Sequence, residues 1–170
     1  MNNKLYILCG IPFSGKTTLA KKMEDKLNTL SIDLDAIKFE FFGNDATDAL
    51  IGKEGWNRIY QEMYQRIKDA LSSGRTVVHD TGNFTKYERD LVRKIAEEQK
   101  LESTTIFVDI PTAEAYKRLV ANRQTKARFD VPDDDFYGVV EEMEIPDANE
   151  KPLVLKWNDS FDNWIDKNLV

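Results

Sequence analysis

The chain has 170 residues, 41% hydrophobic and 32% charged, a composition that suits one globular domain burying roughly two thirds of its unfolded surface. A formal net charge of −6 argues against broad binding to nucleic acid, and one cysteine with one histidine leaves neither an internal disulfide nor a zinc set. No window approaches the roughly eighteen apolar residues of a membrane span, and MNNKLYILCG lacks the form of a signal peptide, so the expected location is the cytoplasm.

The apolar run KLYILC predicts a first strand, ending at Cys9 as a small buried residue. It leads straight into Gly10, Ile11, Pro12, Phe13, Ser14, Gly15, Lys16, Thr17 and Thr18, which read G-x-x-x-x-G-K-T-T ahead of a helix expected over 16–29. The residue types follow from the task of holding a phosphate chain. Glycines let backbone N–H groups turn inward, the helix start adds its positive end, Lys16 reaches the β and γ phosphates, and Thr17 offers a hydroxyl to Mg²⁺. Residues 10 to 18 are therefore the expected ATP site, with Mg²⁺ as its metal. No G-x-G-x-x-G is present to suggest a dinucleotide.

LSIDL predicts the second strand and places Asp33 and Asp35 at its carboxyl end, which in an open α/β sheet faces the ligand crevice. Asp35 there can take the proton of an acceptor hydroxyl, or it can cap the helical turn starting at Ala36; Asp33 reads as a structural acid. The form of residues 39–54 is not readable, and Phe39, Phe41 and Phe42 read as packing. Over 55–73, Trp56, Ile59, Met63, Ile67 and Ala70 make one apolar helical stripe, a core face.

RTVVHD is the third strand, with His79 as a satisfied strand histidine and Asp80 able to reach the magnesium shell. Many P-loop ATPases carry a water-activating glutamate directly after that position. Here Thr81 follows, which weakens a motor or switch reading. A helix over 85–99, a strand STTIFVDI, a helix over 112–122, a polar lid-like loop, a segment 133–143, a strand PLVLKW and a helix over 160–169 complete a βαβα order. The strands are nearly continuous apolar runs, as in a parallel sheet covered on both faces. Residues 111–128 hold five basic residues against one acid, whereas 130–150 hold nine acids and no Lys or Arg. That basic cluster needs an anion when it closes. Arg123 is the first candidate for the migrating phosphoryl group, then Arg128, then Arg118, in a lid of about 118–136.

GIPFSGKTT, DLDAIK, VVHDTGNFTKYERDLV, IFVDIPTAEAYKRLVANR and the trailing DVPDDDF…EEMEIPDANE, in that order along residues 4–156, together resemble the polynucleotide-kinase-like P-loop kinases, small ATP-dependent kinases filed under AAA-type ATPases. The resemblance implies a three-layer P-loop domain over 1–170 with a five-stranded parallel sheet in the order 2-3-1-4-5. It implies Asp35 as general base and places Lys38 where nucleic-acid 5′-kinases usually carry an arginine that clamps acceptor phosphate. It also sets Asp80 and Asn83 of DTGN on the floor beside magnesium and acceptor, where turn geometry is the other reading, and makes the WNDS turn after the last strand a candidate contact to the nucleobase. The implied activity is transfer of the γ-phosphate of ATP, with Mg²⁺, to an acceptor hydroxyl, either of a small molecule or of a 5′-OH nucleotide or oligonucleotide end. The alternative is a regulatory P-loop ATPase acting on a partner. The acidic chain favours a small acceptor or a few nucleotides, and neither a membrane nor extended nucleic acid is an expected partner.

Overall fold

The computed structural model describes residues 3–43 and 46–170. A parallel sheet of five strands, β1 (Leu5–Cys9), β2 (Leu30–Asp33), β3 (Val77–Asp80), β4 (Ser103–Asp109) and β5 (Leu153–Lys156), runs in the order β2-β3-β1-β4-β5. The expected order is the observed one. Helices α1 (Lys16–Leu27), α2 (Leu34–Phe42), α3 (Asp48–Ser72), α4 (Lys86–Glu98), α5 (Thr112–Thr125), α6 (Asp133–Glu142) and α7 (Phe161–Asn168) fill the connections.

Alternation along β1 explains the two cores, because successive side chains leave a strand on opposite faces. Leu5 and Ile7 pack with Ile59, Met63 and Ile67 of α3 and with Val92 and Ala96 of α4. Tyr6 and Leu8 pack with Leu19 and Met23 of α1 and with Trp164 and Ile165 of α7. A smaller cluster of Ile11, Ile110, Leu119 and Phe136 ties α5 and α6 to the loop after β1. Burial at about 25 cal/mol per Å² over these faces is what holds helices to a sheet with no free face.

The stretch 39–54 that sequence left open is now partly placed: α2 runs to Phe42, and α3 begins at Asp48, well before residue 55. Asn44 and Asp45 of that stretch lie outside the described residues. Gly52, at φ 61 and ψ 178, kinks α3, which hides a helical period from any straight reading. Helix α1 ends at Leu27 because Asn28 takes the left-handed conformation, and α5 continues three residues past 122 to end the same way at Lys126. No helix among the described residues is long and apolar enough to cross a membrane.

Candidate active site

The loop after β1 is built around two glycines that no other residue could replace. Gly10 has φ 151, and a Cβ there would stand 2.8 Å from the Val108 carbonyl oxygen and 2.9 Å from Ser14 Oγ. Gly15 has φ 112, caps α1, and leaves 3.2 Å between such a carbon and the tip of the Phe161 ring. Phe13, at φ 62, completes the bend that turns the loop over the start of α1. The Ser14 hydroxyl is buried without a hydrogen-bond partner, an orphaned polar group in a turn of backbone amides.

Lys16 bends back over this loop. Its Nζ donates to the carbonyls of Gly10, at 2.6 Å, and Ile11, at 3.0 Å, and stands 5.9 Å above the Phe84 ring. Burial pushes its pKa down to about 8 against the opposing pull of Asp80. Next along the helix, the Thr17 hydroxyl accepts from Arg128 Nη2 at 3.1 Å and, beside Asp80, opposes the rise that burial gives that carboxylate's pKa. Thr18, the last residue expected in the cradle, is exposed one position further on.

Two carboxylates close the floor. Asp33 and Asp80 are register partners at the ends of β2 and β3. Burial raises the pKa of both, that of Asp33 to about 6, and each feels the negative charge of neighbouring acids. Thr17, Asp80 and Asp33 offer oxygen donors only, the chemistry of a hard cation. No group of three or more acid, His or Cys side chains that could hold a metal unaided is found among the described residues. The set therefore fits Mg²⁺ carried in with phosphate oxygens, Thr17 and Asp80 being the residues that would meet it.

The sequence left Asp35 between cap and base, and the cap falls to Asp33. Asp33 is the N-cap of α2, its Oδ1 accepting from the Asp35 N–H at 2.9 Å. The Asp35 side chain is exposed at the rim of a hollow of about 250 Å³ that opens at the ends of β2 and β3. Tyr60 and Tyr64 of α3, Phe84, and Glu88 of α4 line its walls, with Met63, His79 and Asn83 beneath. Thr81 and Gly82 form the near edge. A larger hollow, of about 610 Å³, is lined by Asn122, Arg123 and residues 126–130. It lies along the lid segment and lacks the strand-end carboxylates.

Asn83 lines the hollow, and its amide is committed inward. With φ 49 it donates from Nδ2 to the Leu8 carbonyl at 2.7 Å and lies 3.1 Å from His79 Nδ1. His79 then carries its proton on Nε2, directed at Met63 Sδ at 3.1 Å, and burial depresses its pKa to about 3. The pair is a strut joining β1, β3 and α3, and His79 is the satisfied strand histidine read from the sequence. Cys9 is buried too, its thiol pushed up to about 12 by that burial, and is inert. The Lys38 ammonium lies 5.6 Å over the Trp56 ring.

The three lid arginines take different partners. Arg123, the first choice, pairs within its own segment, with Asp130 at 2.8 Å, with Asp133 at 2.7 Å and with the Val131 carbonyl. The acids that follow it in the chain are its counterions. Arg128 instead reaches Thr17 and stands 5.7 Å from the Phe13 ring, and Arg118 donates to the carbonyls of Phe13 and Ser14 at 3.3 and 3.2 Å. Beside Arg128, Phe129 stacks on Phe39 of α2 at 4.8 Å between centroids, so the lid segment rests on both sides of the cleft.

Sequence reading did not single out Tyr60, Tyr64, Phe84, Glu88 or Phe161. The usable signal was Trp56, Tyr60 and Tyr64 at steps of four, one flank of the α3 stripe.

With the geometry in place, comparison with known proteins adds the following. A family model described as an AAA domain matches residues 5–146. No curated protein matches the chain. Among solved structures, the Mycobacterium tuberculosis APS kinase CysC in complex with AMPPNP and APS is 17% identical with a TM-score of 0.68, over 98% of this chain and 95% of that one. A gluconokinase from Sinorhizobium meliloti 1021 is 16% identical, with a TM-score of 0.65 over 96% and 88%. A chain of the Pnkp1/Rnl/Hen1 RNA repair complex is 21% identical, with a TM-score of 0.72 over 83% of this chain and 44% of that one.

Proposed function

The chain belongs to the AAA-domain family matched over residues 5–146, has the fold of P-loop kinases, and on that footing we propose that it is an ATP- and Mg²⁺-dependent phosphotransferase acting on an acceptor hydroxyl. The observation that carries this reading is the placement of the exposed Asp35 carboxylate at the rim of a walled hollow that shares Phe84 with the Lys16 ammonium. A hydrolase needs a group that aims water, and the position after Asp80 is Thr81.

In this reading the backbone N–H groups of Phe13, Gly15, Lys16 and Thr17 and the orphaned Ser14 hydroxyl bind phosphate oxygens. Lys16 exchanges the carbonyls of Gly10 and Ile11 for the β and γ oxygens, a stronger charge-assisted pairing. Arg128 and Arg118, already at the loop, offset charge on the migrating group, while Arg123 holds the lid segment in shape. Thr17 and Asp80 meet Mg²⁺, which supplies neutralisation of the phosphate oxygens. Asp35 accepts the proton of the acceptor hydroxyl, a step worth about 10² to 10⁴ in rate. With Phe129 on Phe39, the lid of about 118–136 excludes water from the cleft. The cytoplasm, where ATP is held, is the compartment that suits the activity.

The test is a screen of γ-labelled ATP against pooled hydroxyl compounds, short 5′-OH oligonucleotides among them. Label appearing on an acceptor in excess of free phosphate supports a kinase. Label released only as phosphate, whatever is added, supports the regulatory ATPase instead.

A further inference from the structure

The hollow beside the phosphate loop has a chemical character of its own. Its walls are aromatic and acidic: Tyr60, Tyr64 and Phe84 supply rings, Asp35 and Glu88 supply carboxylates, and neither Lys nor Arg is among the residues that line it. His79 at its base is neutral, held by Asn83 and Met63. Glu88 closes the capping box of α4 through Oε2 alone, accepting from the Thr85 N–H at 2.9 Å and from its hydroxyl at 3.1 Å, so its second oxygen is left for another donor. Tyr60 lines the hollow with both acids, and burial first, then the charges of Glu88 and Asp35, raise its pKa. Glu88 acts in the same way on Tyr64. Anions are recognised chiefly by paired cations, and no Lys or Arg lines this hollow. Ring faces with adjoining carboxylates recognise ammonium groups.

Resting on the phosphotransferase reading above, we propose that the acceptor is a small alcohol carrying a protonated amine, such as an amino sugar or amino alcohol. The ammonium sits against the rings of Tyr60 and Tyr64 and the Glu88 carboxylate, and the hydroxyl lies at Asp35. The acceptor oxygen gives its proton to Asp35 and forms the new O–P bond, while the bond from the γ-phosphorus to the β,γ-bridging oxygen breaks with its electron pair going to ADP. The products are a phosphomonoester, ADP and a proton. The chain's net charge of −6 adds a field that favours cations over polyanions.

The experiment compares kcat/KM for ATP-dependent phosphorylation of three matched acceptors, glucosamine, N-acetylglucosamine and gluconate, and of ethanolamine against ethylene glycol. The amine-bearing member of each set is expected to lead by about tenfold or more, the value of one desolvated charge pair. Glu88→Gln, which keeps the helix cap, is expected to raise KM for the amine about tenfold more than it raises KM for the uncharged partner, so that the amine preference collapses. Preference for the acetylated, uncharged or anionic member, or an amine preference untouched by Glu88→Gln, overturns the proposal and leaves the kinase reading standing. Transfer to no acceptor of any class, here or in the pooled screen, overturns both.

Discussion

The Lys16 ammonium rests on two backbone carbonyls at the cost of solvation, and burial brings its pKa down to about 8. Lys16→Met removes the charge and keeps the aliphatic stem. The variant is expected to melt no lower than the parent while nucleotide affinity falls by two orders of magnitude or more, as read by thermal unfolding and by titration calorimetry side by side. The arginines give a second test at the same scale. Arg128→Ala removes a guanidinium that touches Thr17 and is expected to slow transfer by about 10³ or more, whereas Arg123→Ala breaks ion pairs inside the lid segment and is expected to cost far less. Single-turnover rates with labelled ATP separate the two, and equal losses would return Arg123 to the phosphates.

At the scale of elements, the site depends on how the turn after β3 is held. Arg89 of α4 is fully buried, donates to the carbonyls of Asn83 and Phe84, and forms a two-point pair with Glu150 at 2.8 and 2.7 Å. Arg93 adds a third bond to the same carboxylate at 2.8 Å. Burial alone would raise the Glu150 pKa, but the two arginines outweigh it and hold the group down to about 2. A carboxylate with a folded pKa below its free value of 4.5 adds stability above that value, and the contribution is lost as pH falls toward 2. Acid unfolding should therefore be steep between about pH 4.5 and 2, and Glu150→Ala should lose that slope together with about 3 to 5 kcal/mol, because Arg89 is left buried and unpaired. Urea unfolding at a series of pH values measures both. The lid segment is a second element with a visible anchor: Phe129→Ala removes its stack on Phe39 and is expected to raise phosphate release to water relative to transfer, as the cleft loses its cover.

At the scale of the molecule, what sequence could reveal was whatever local chemistry writes. Apolar strands, helical periods and the glycine spacing from Gly10 to Gly15 gave the layers and the phosphate cradle, since each is set by neighbours in the chain. Asp35 at the hollow was partly readable, because the end of a strand predicts the crevice, but which of Asp33 and Asp35 would cap α2 turned on a single hydrogen bond. The arginine order was not readable. Whether Arg123 meets phosphate or Asp130 and Asp133 depends on how the lid segment folds back, and spacing does not encode it. Tyr60, Tyr64 and Glu88 come together only when α3 and α4 pack on the same face of the sheet, a meeting across the fold that no window contains. The start of α3 at Asp48 was hidden by the kink at Gly52.

The central claim is that the outermost phosphate of ATP leaves for an alcohol whose proton Asp35 takes. Its most direct test is the rate of label transfer from γ-labelled ATP to the best acceptor in the parent and in Asp35→Asn, with nucleotide affinity measured on the same samples. The account predicts unchanged ATP binding and a loss of transfer of about 10² to 10⁴. Transfer by Asp35→Asn at the parent rate would contradict it.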